Sequence, residues 1–234
     1  SVMAHRGGVG PWKENTVAAF EGARRNGADG VEIDARLTGD GAVVVHHDAG
    51  FSQGDLAGRK IIDLRSTELP DWIPSLEAAV AACRGMLLDV EIKLDPSETG
   101  SRLDAGICRS LVTGIAEVLA RPEKVFVSSF WPDALVAFGE ASSLVPLGLL
   151  VHPAFDAVSA VATARDLGCS ALHPHFTSVT PGLVERCHKE GLQVGTWTVN
   201  EPADLEAMLD AGVDAVISDD SASALRAVGR AAGG

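Results

Sequence analysis

Residues 193–218 run Gln193-Val194-Gly195-Thr196-Trp197-Thr198, then a helical stretch over Ala203–Asp210, then Ala211-Gly212, then Ala215-Val216-Ile217-Ser218. The two outer segments are short apolar runs with β-branched residues and read as strands. The middle has helical length, and the glycine behind it is a common helix stop. A strand, a helix and a second strand in such short succession make a parallel unit, because two parallel neighbours need a crossover between them.

Working outward, the same rhythm fills the chain. Strands are expected at Val2–Ala4, Gly30–Ala35, Met86–Lys93, Lys124–Ser129, Pro146–Val151, Ser170–His173, Gln193–Thr198 and Ala215–Ser218. Helices are expected at Asn15–Arg25, Ser75–Cys83, Leu103–Ala120, Pro132–Gly139, Asp156–Asp166, Pro181–Lys189, Ala203–Asp210 and Ser221–Val228. Eight strands alternating with eight helices imply a parallel eight-stranded (β/α)8 TIM barrel, an α/β fold. The 234 residues suit one such barrel, which typically takes about 250, so a single domain over residues 1–234 is expected. One segment breaks the rhythm. Ala42–His46 follows the turn-like Thr38-Gly39-Asp40-Gly41 and reads as a short extra strand or hairpin over the barrel mouth, after strand two.

The charge balance restricts partners. Lys plus Arg total 19 against 32 Asp plus Glu, a formal net charge of −13. A surface of that sign repels nucleic acid and anionic lipid. No nucleic-acid partner and no stable membrane association are expected, and an anionic substrate needs a local positive centre. The four cysteines lack metal or disulfide spacing and read as buried free thiols. No apolar run reaches the length of a membrane span. The cytoplasm is the expected location, although a chain opening at Ser1 leaves room for a removed leader. Nothing in the sequence sets the oligomeric state.

Barrel enzymes work at the C-terminal ends of their strands. There the sequence places His5-Arg6-Gly7-Gly8, Glu32 and Asp34, then Asp89, Glu91 and Lys93, and His46-His47-Asp48. Glu32 and Asp34 share a strand face, as do Glu91 and Lys93. Inward-facing carboxylates meeting near a barrel axis repel unless protonated or bound to a cation. One hard divalent ion with oxygen ligands, calcium or magnesium, relieves this. The plainer alternative is that these carboxylates cap helices or pair with arginines. His5 and one of His46 and His47 are natural proton handlers near neutral pH, and period-two alternation lets only one of the neighbours face the site. Arg6 and Lys93 suit phosphate oxygens, or simply neutralise the carboxylates. Glu14-Asn15-Thr16 reads as the N-terminal cap of the first helix.

These residues resemble the glycerophosphodiester phosphodiesterase family. The ordered set is His5-Arg6-Gly7, Glu14-Asn15-Thr16, Glu32-x-Asp34, Thr38-x-Asp40-Gly41 and Val45-x-His47-Asp48. Ile73-Pro74-Ser75-Leu76-Glu77, Val90-Glu91-Ile92-Lys93 and Trp197-Thr198-Val199-Asn200 extend it, so the likeness covers about Ala4 to Asp219. The resemblance implies a (β/α)8 barrel that hydrolyses glycerophosphodiesters, as small-molecule substrates, to glycerol 3-phosphate and an alcohol. It implies metal ligands at Glu32, Asp34 and Glu91 and an acid/base pair at His5 and His47, choosing His47 over His46. It further implies phosphate contacts at Arg6 and Lys93, and an aromatic residue beside the substrate at Trp197. Two positions depart from the pattern. Trp12-Lys13 stands where the family has proline before Glu-Asn-Thr, and Asp89 stands where it often has a neutral amide.

Three other readings compete. A lysophospholipase D-like enzyme would use the same residues. An aldolase-like barrel would need Lys93 as a neutral amine, against the pull of its acidic neighbours. An inactive binding barrel would have little use for both histidines and all three carboxylates. Trp12 and Phe51 are the aromatic residues expected exposed at the rim. Two aromatics make a weak membrane anchor, so small soluble diesters are expected to be preferred over bilayer lipids.

Overall fold

The computed structural model describes residues 1–94, 105–120 and 124–230. Its strands are β1 (Val2–His5), β2 (Gly30–Leu37), β3 (Val43–Val45), β4 (Leu87–Ile92), β5 (Val125–Ser129), β6 (Leu147–Val151), β7 (Ala171–Pro174), β8 (Gln193–Thr196) and β9 (Ala215–Ser218). Eight of them are parallel neighbours in the order β1-β9-β8-β7-β6-β5-β4-β2, and β1 pairs with β2 to close the ring. The ninth, β3, pairs antiparallel with β2 from outside the ring. The expected (β/α)8 barrel with an extra strand after strand two is therefore observed.

Local chemistry explains the helices between the strands. Thr16, Ser75, Asp156, Thr180 and Asp220 each accept from backbone amides of the first helical turn, which satisfies donors that lack an intrahelical partner. Pro132, Pro181 and Pro202 open their helices at a position where no amide is missed. Gly212 closes helix Pro202–Ala211 in the left-handed region, at φ 84°. The apolar core lies between the strands and the helices, where Phe20, Ile33, Leu88, Ile115 and Phe138 are fully buried. All four cysteines are free and buried there.

The structure shifts several expected boundaries. Strand two runs to Leu37 rather than Ala35, because Val43–Val45 gives Ala35–Leu37 a partner after pairing with β4 ends at Ile92. The first helix begins at Val17 rather than Asn15, since Thr16 is its cap and Asn15 sits at φ 56° with its side chain turned inward. The strand expected to reach Thr198 stops at Thr196. Short 3-10 turns at Ile61–Asp63, Ser66–Glu68 and Phe176–Ser178 were not anticipated. The described part of the third helix is Ala105–Val118, and the expected start at Leu103 lies outside the described residues.

Trp12 and Phe51, expected at an exposed rim, are half-buried. The Trp12 ring lies so close over Gly22 that a Cβ there would stand 2.2 Å from it, and its indole donates to the Gly8 carbonyl at 3.0 Å. Phe51 packs on His46 with ring centroids 5.5 Å apart. Among the described residues, no helix is long and apolar enough to cross a membrane.

The barrel interior is polar toward the mouth and tightly filled below it. Beneath the mouth, the His173 ring occupies a slot made by two glycines. A Cβ on Gly148 or Gly195 would come within 3.1 Å of that ring. Phe126 meets the ring edge-on at 5.5 Å.

Candidate active site

Register brings the acidic residues together. Asp34 lies beside Glu91 across the β2–β4 pair, and Glu32 lies beside His5 across β1–β2. Glu32, Asp34 and Glu91 are buried, and each offers an oxygen within 4.8 Å of the others. Oε1 of Glu32 and Oδ1 of Asp34 are buried without a hydrogen bond. Such acceptors are costly unless something positive meets them. Three hard oxygen donors, of which Glu32 Oε1 lacks a partner and Asp34 Oδ1 has only Lys93 Nζ at 3.4 Å, suit a divalent ion.

The electrostatics show the same tension. Burial, followed by the charges of Asp34, Glu91 and Asp89, pushes the Glu32 carboxyl well above the ordinary glutamate range. Burial raises Glu91 as well, against the pull of Lys93. Asp34 is held below the usual range even though burial opposes this. Lys93, Arg6 and His47, with the Asn15 hydrogen bond, outweigh the burial. Asn15 Nδ2 donates to Asp34 at 2.6 Å. The segment read as a cap therefore does two things: Thr16 caps the helix and Asn15 fixes a carboxylate.

Arg6 and Lys93 both reach the cluster. Arg6 Nε lies 3.4 Å from Asp34, and its Nη1 donates to Glu14 at 3.1 Å. Lys93 Nζ lies 2.9 Å from Glu91 and 3.4 Å from Asp34. Despite burial, Glu91 and Asp34 raise the Lys93 pKa, so the ammonium stays charged. This removes the neutral amine that an aldolase-like reading requires.

The two histidines flank the carboxylates, each with an aspartate on its Nδ1. His5 Nδ1 meets Asp219 at 2.6 Å, and its Nε2 lies 3.8 Å from Glu32. Asn200 braces Asp219, donating to its carboxylate at 2.7 Å while accepting from its amide at 2.9 Å. His47 Nδ1 meets Asp48 at 2.7 Å. Burial, with Lys93 and Arg6 adding to it against Asp34, lowers the His47 pKa. Arg36 donates to the backbone carbonyls of both His46 and His47, which pins the loop carrying them. His46 turns away, with Nδ1 on the Asp48 carbonyl and its ring near Phe51 and Trp72. Trp197 closes the opposite wall. Its indole donates to the His173 carbonyl at 2.8 Å, and Phe130 meets its ring edge-on at 5.3 Å.

Asp89 does not join the carboxylate cluster. It is fully buried, accepts from Ser128 Oγ at 2.7 Å and faces His173 Nδ1 at 3.7 Å. Burial pushes its carboxyl well above the ordinary range, and the charges of Glu91 and Asp34 add to this against the Ser128 hydrogen bond. A neutral carboxyl at this position is a fair substitute for a neutral amide. Asp219 and Arg36 escaped the sequence reading as site residues, and Asn200 was placed at a strand end without a role. Asp219 directly follows β9, so the strand-end rule applied to the last strand would have found it.

Comparison with known proteins agrees with this geometry. The model of the glycerophosphoryl diester phosphodiesterase family matches residues 5–223. A glycerophosphodiester phosphodiesterase of Caldanaerobacter subterraneus subsp. tengcongensis is 32% identical, over 94% of this chain and 93% of its own. The structure of an Oleispira antarctica phosphodiesterase in complex with the product sn-glycerol-3-phosphate is 28% identical. It superposes with a TM-score of 0.85, over 98% of this chain and 96% of its own. The glycerophosphodiester phosphodiesterase of Thermotoga maritima gives a TM-score of 0.79 at 26% identity, covering 96% of each chain. With the barrel, the carboxylate cluster and its two histidines in place, these matches establish that the chain belongs to the glycerophosphoryl diester phosphodiesterase family.

Proposed function

We propose that this chain hydrolyses glycerophosphodiesters to glycerol 3-phosphate and an alcohol, using one divalent cation, calcium or magnesium, and two histidines. The observation that carries this reading is the convergence of three buried carboxylates from two strands, flanked by two histidines that are each held through Nδ1. Glu32, Asp34 and Glu91 would hold the ion. When bound, it supplies positive charge that draws in the phosphate and offsets the charge developing in the reaction.

The protein's own groups account for the rest. An aspartate on Nδ1 fixes the ring and leaves Nε2 to exchange protons. One histidine takes the proton from the attacking oxygen as its bond to phosphorus forms. The other gives a proton to the leaving alkoxide as the second P–O bond breaks. Arg6 and Lys93, charged and beside the cluster, orient the phosphate oxygens. Trp197 supplies an apolar wall for the carbons of the substrate. The whole of residues 1–234 serves as one catalytic domain in this reading.

The test is glycerol 3-phosphate release from a panel of glycerophosphodiesters, with and without chelator and with calcium or magnesium restored. Release abolished by chelator and recovered with one of the ions is expected. Release that survives full chelation overturns the metal assignment, and a panel without any release overturns the activity.

A further inference from the structure

Two spaces meet at the barrel mouth. The smaller, about 100 Å³, is bordered by His5, Arg6, Glu32, Thr198 and Trp197. The larger, about 750 Å³, shares His47, Glu91, Lys93, Phe130 and Leu150 with it. From that shared edge it runs outward over the ends of β5 and β6 to helix Ala157–Asp166. Its far walls, among the described residues, include Trp131, Val151, Phe155 and Ala160. Phe155 is 71% exposed, an unusual position for a large aromatic ring. The volume falls in the range of small-molecule sites.

The two spaces differ in what they can accept. The small one is bordered by charged and hydrogen-bonding groups and is near the size of a short polyol. The large one is apolar along its middle, at Phe130, Trp131, Leu149 and Val151. At its outer end, Asp156 already accepts from the Val158 and Ser159 amides and from the Ser159 hydroxyl, and His152 Nδ1 accepts from the Ala154 amide. Hydroxyls placed against Phe130, Trp131 and Val151 would lose water without gaining partners. A phosphate centred on the carboxylates has one ester arm toward each space.

We propose that the large cleft binds an apolar chain carried on the alcohol side of the phosphodiester, while the glycerol arm occupies the small pocket. This rests on the reading of the mouth as a phosphodiester site and specifies its substrate class. The preferred substrates are then diesters of glycerol 3-phosphate with alkyl or arylalkyl alcohols, rather than with small polar ones alone. This keeps the expected preference for soluble diesters over bilayer lipids and adds a preference among the soluble ones. The cleft needs only a chain in solution and no contact with a bilayer.

The experiment uses the full chain with its metal supplied. It measures kcat/KM for glycerophosphodiesters of ethanol, butanol, hexanol and octanol, kept below micelle formation. Glycerophosphoethanolamine and a short-chain lysophosphatidylethanolamine, with its chain on the glycerol, complete the set. The kcat/KM value should rise along the alcohol series by up to about fourfold per methylene, the factor expected for burying one CH₂. Ala160→Trp, which fills the cleft, and Phe155→Ala, which opens its exposed wall, should flatten that rise. Both should leave glycerophosphoethanolamine within about twofold of the parent protein. Phe155 is largely exposed, so its truncation tests the cleft even if Ala160→Trp does not fold. Turnover of the ethyl diester with a flat series overturns the cleft assignment and leaves the mouth reading intact. A gain confined to the lysolipid overturns the placement on the alcohol arm. A gain that persists in both variants overturns these walls. No turnover of any member overturns the mouth reading, and the cleft assignment falls with it.

Discussion

Two layers of the barrel interior carry the same kinds of residue and put them to opposite uses. The upper layer holds Glu32, Asp34 and Glu91 with His5 and His47, open to the mouth pocket and accompanied by Arg6 and Lys93. The lower layer holds Asp89, Ser128 and His173, fully or nearly fully buried and without a cation at hand; Asp89 and Ser128 form part of the floor of the same pocket, and His173 lies beyond it. Both layers pair carboxyl groups with imidazoles. In the lower one, burial raises the carboxyl and lowers the imidazole to about 4, which favours the neutral form of both. In the upper one, two fixed cations keep Asp34 ionised, and the histidines have a route to a substrate. Access and counter-charge, more than residue type, separate a reactive site from a filled interior.

The comparison breaks first at the histidines. His5→Ala and His47→Ala should each lower turnover of alkyl diesters by about 10²–10⁴-fold. On a p-nitrophenyl diester, whose leaving group needs little protonation, the variant lacking the acid should recover part of the loss. Steady-state rates on both substrates decide this, and equal losses on both in both variants would end the division of labour. Metal affinity should survive, because neither histidine is a proposed ligand.

The lower layer should report itself through stability instead. His173 is neutral in the fold and has a pKa of about 4, against an ordinary 6.5. The unfolded chain therefore binds a proton that the native state refuses. Its contribution is fully present above pH 6.5 and is lost as pH falls toward 4, by on the order of 3 kcal/mol. Urea unfolding of the parent and of His173→Gln at several pH values should show the parent losing more stability than the variant as pH falls from 6.5 toward 4. An identical slope in both would mean that the imidazole is not what resists acid.

A smaller effect separates the two carboxyl environments. Because burial favours the protonated form of Asp89, Asp89→Asn should keep turnover within about threefold. In chelator it should unfold at higher temperature at pH 7, because the native aspartate must hold a proton that the unfolded chain releases. That advantage should shrink as pH falls toward the ordinary aspartate range and be gone below it. A large loss of activity would place a charge at Asp89 after all. The smallest change is expected of His46→Ala, whose ring turns from the cluster: turnover close to that of the parent.

Much of this was legible in the sequence, for reasons that differ by residue. The barrel could be read because each strand–helix unit repeats the same local grammar of apolar runs, caps and glycine stops. Glu32, Asp34, Glu91, Lys93, His5 and Arg6 could be placed because strand alternation and the strand-end rule fix where such side chains point. His47 needed more, since His46 is equally plausible by alternation and the choice rests on how Arg36 and the Asp48 carbonyl settle the loop. Asn15 was misjudged because its role depends on a left-handed backbone and a carboxylate 19 positions away. The cleft was invisible because it is a shape made by residues from five separate segments, none unusual alone.

The hairpin on the rim has one more implication. Strand β2 carries two proposed metal ligands and ends in a turn that returns as β3, which ends two residues before His47. Arg36, on that same strand, holds the carbonyls of the histidine loop. The two proposed ion ligands of β2 and the His47 ring are thus spaced by one covalent segment, Glu32 to Asp48, while Glu91 joins them from β4. An insertion within Thr38–Ala42 would lengthen the tip and leave that spacing intact. One between Ala35 and Leu37 would turn Arg36 to the other face of the strand and uncouple the two. Evolution can therefore decorate this rim at its tip while inheriting the chemistry beneath it as a single cassette.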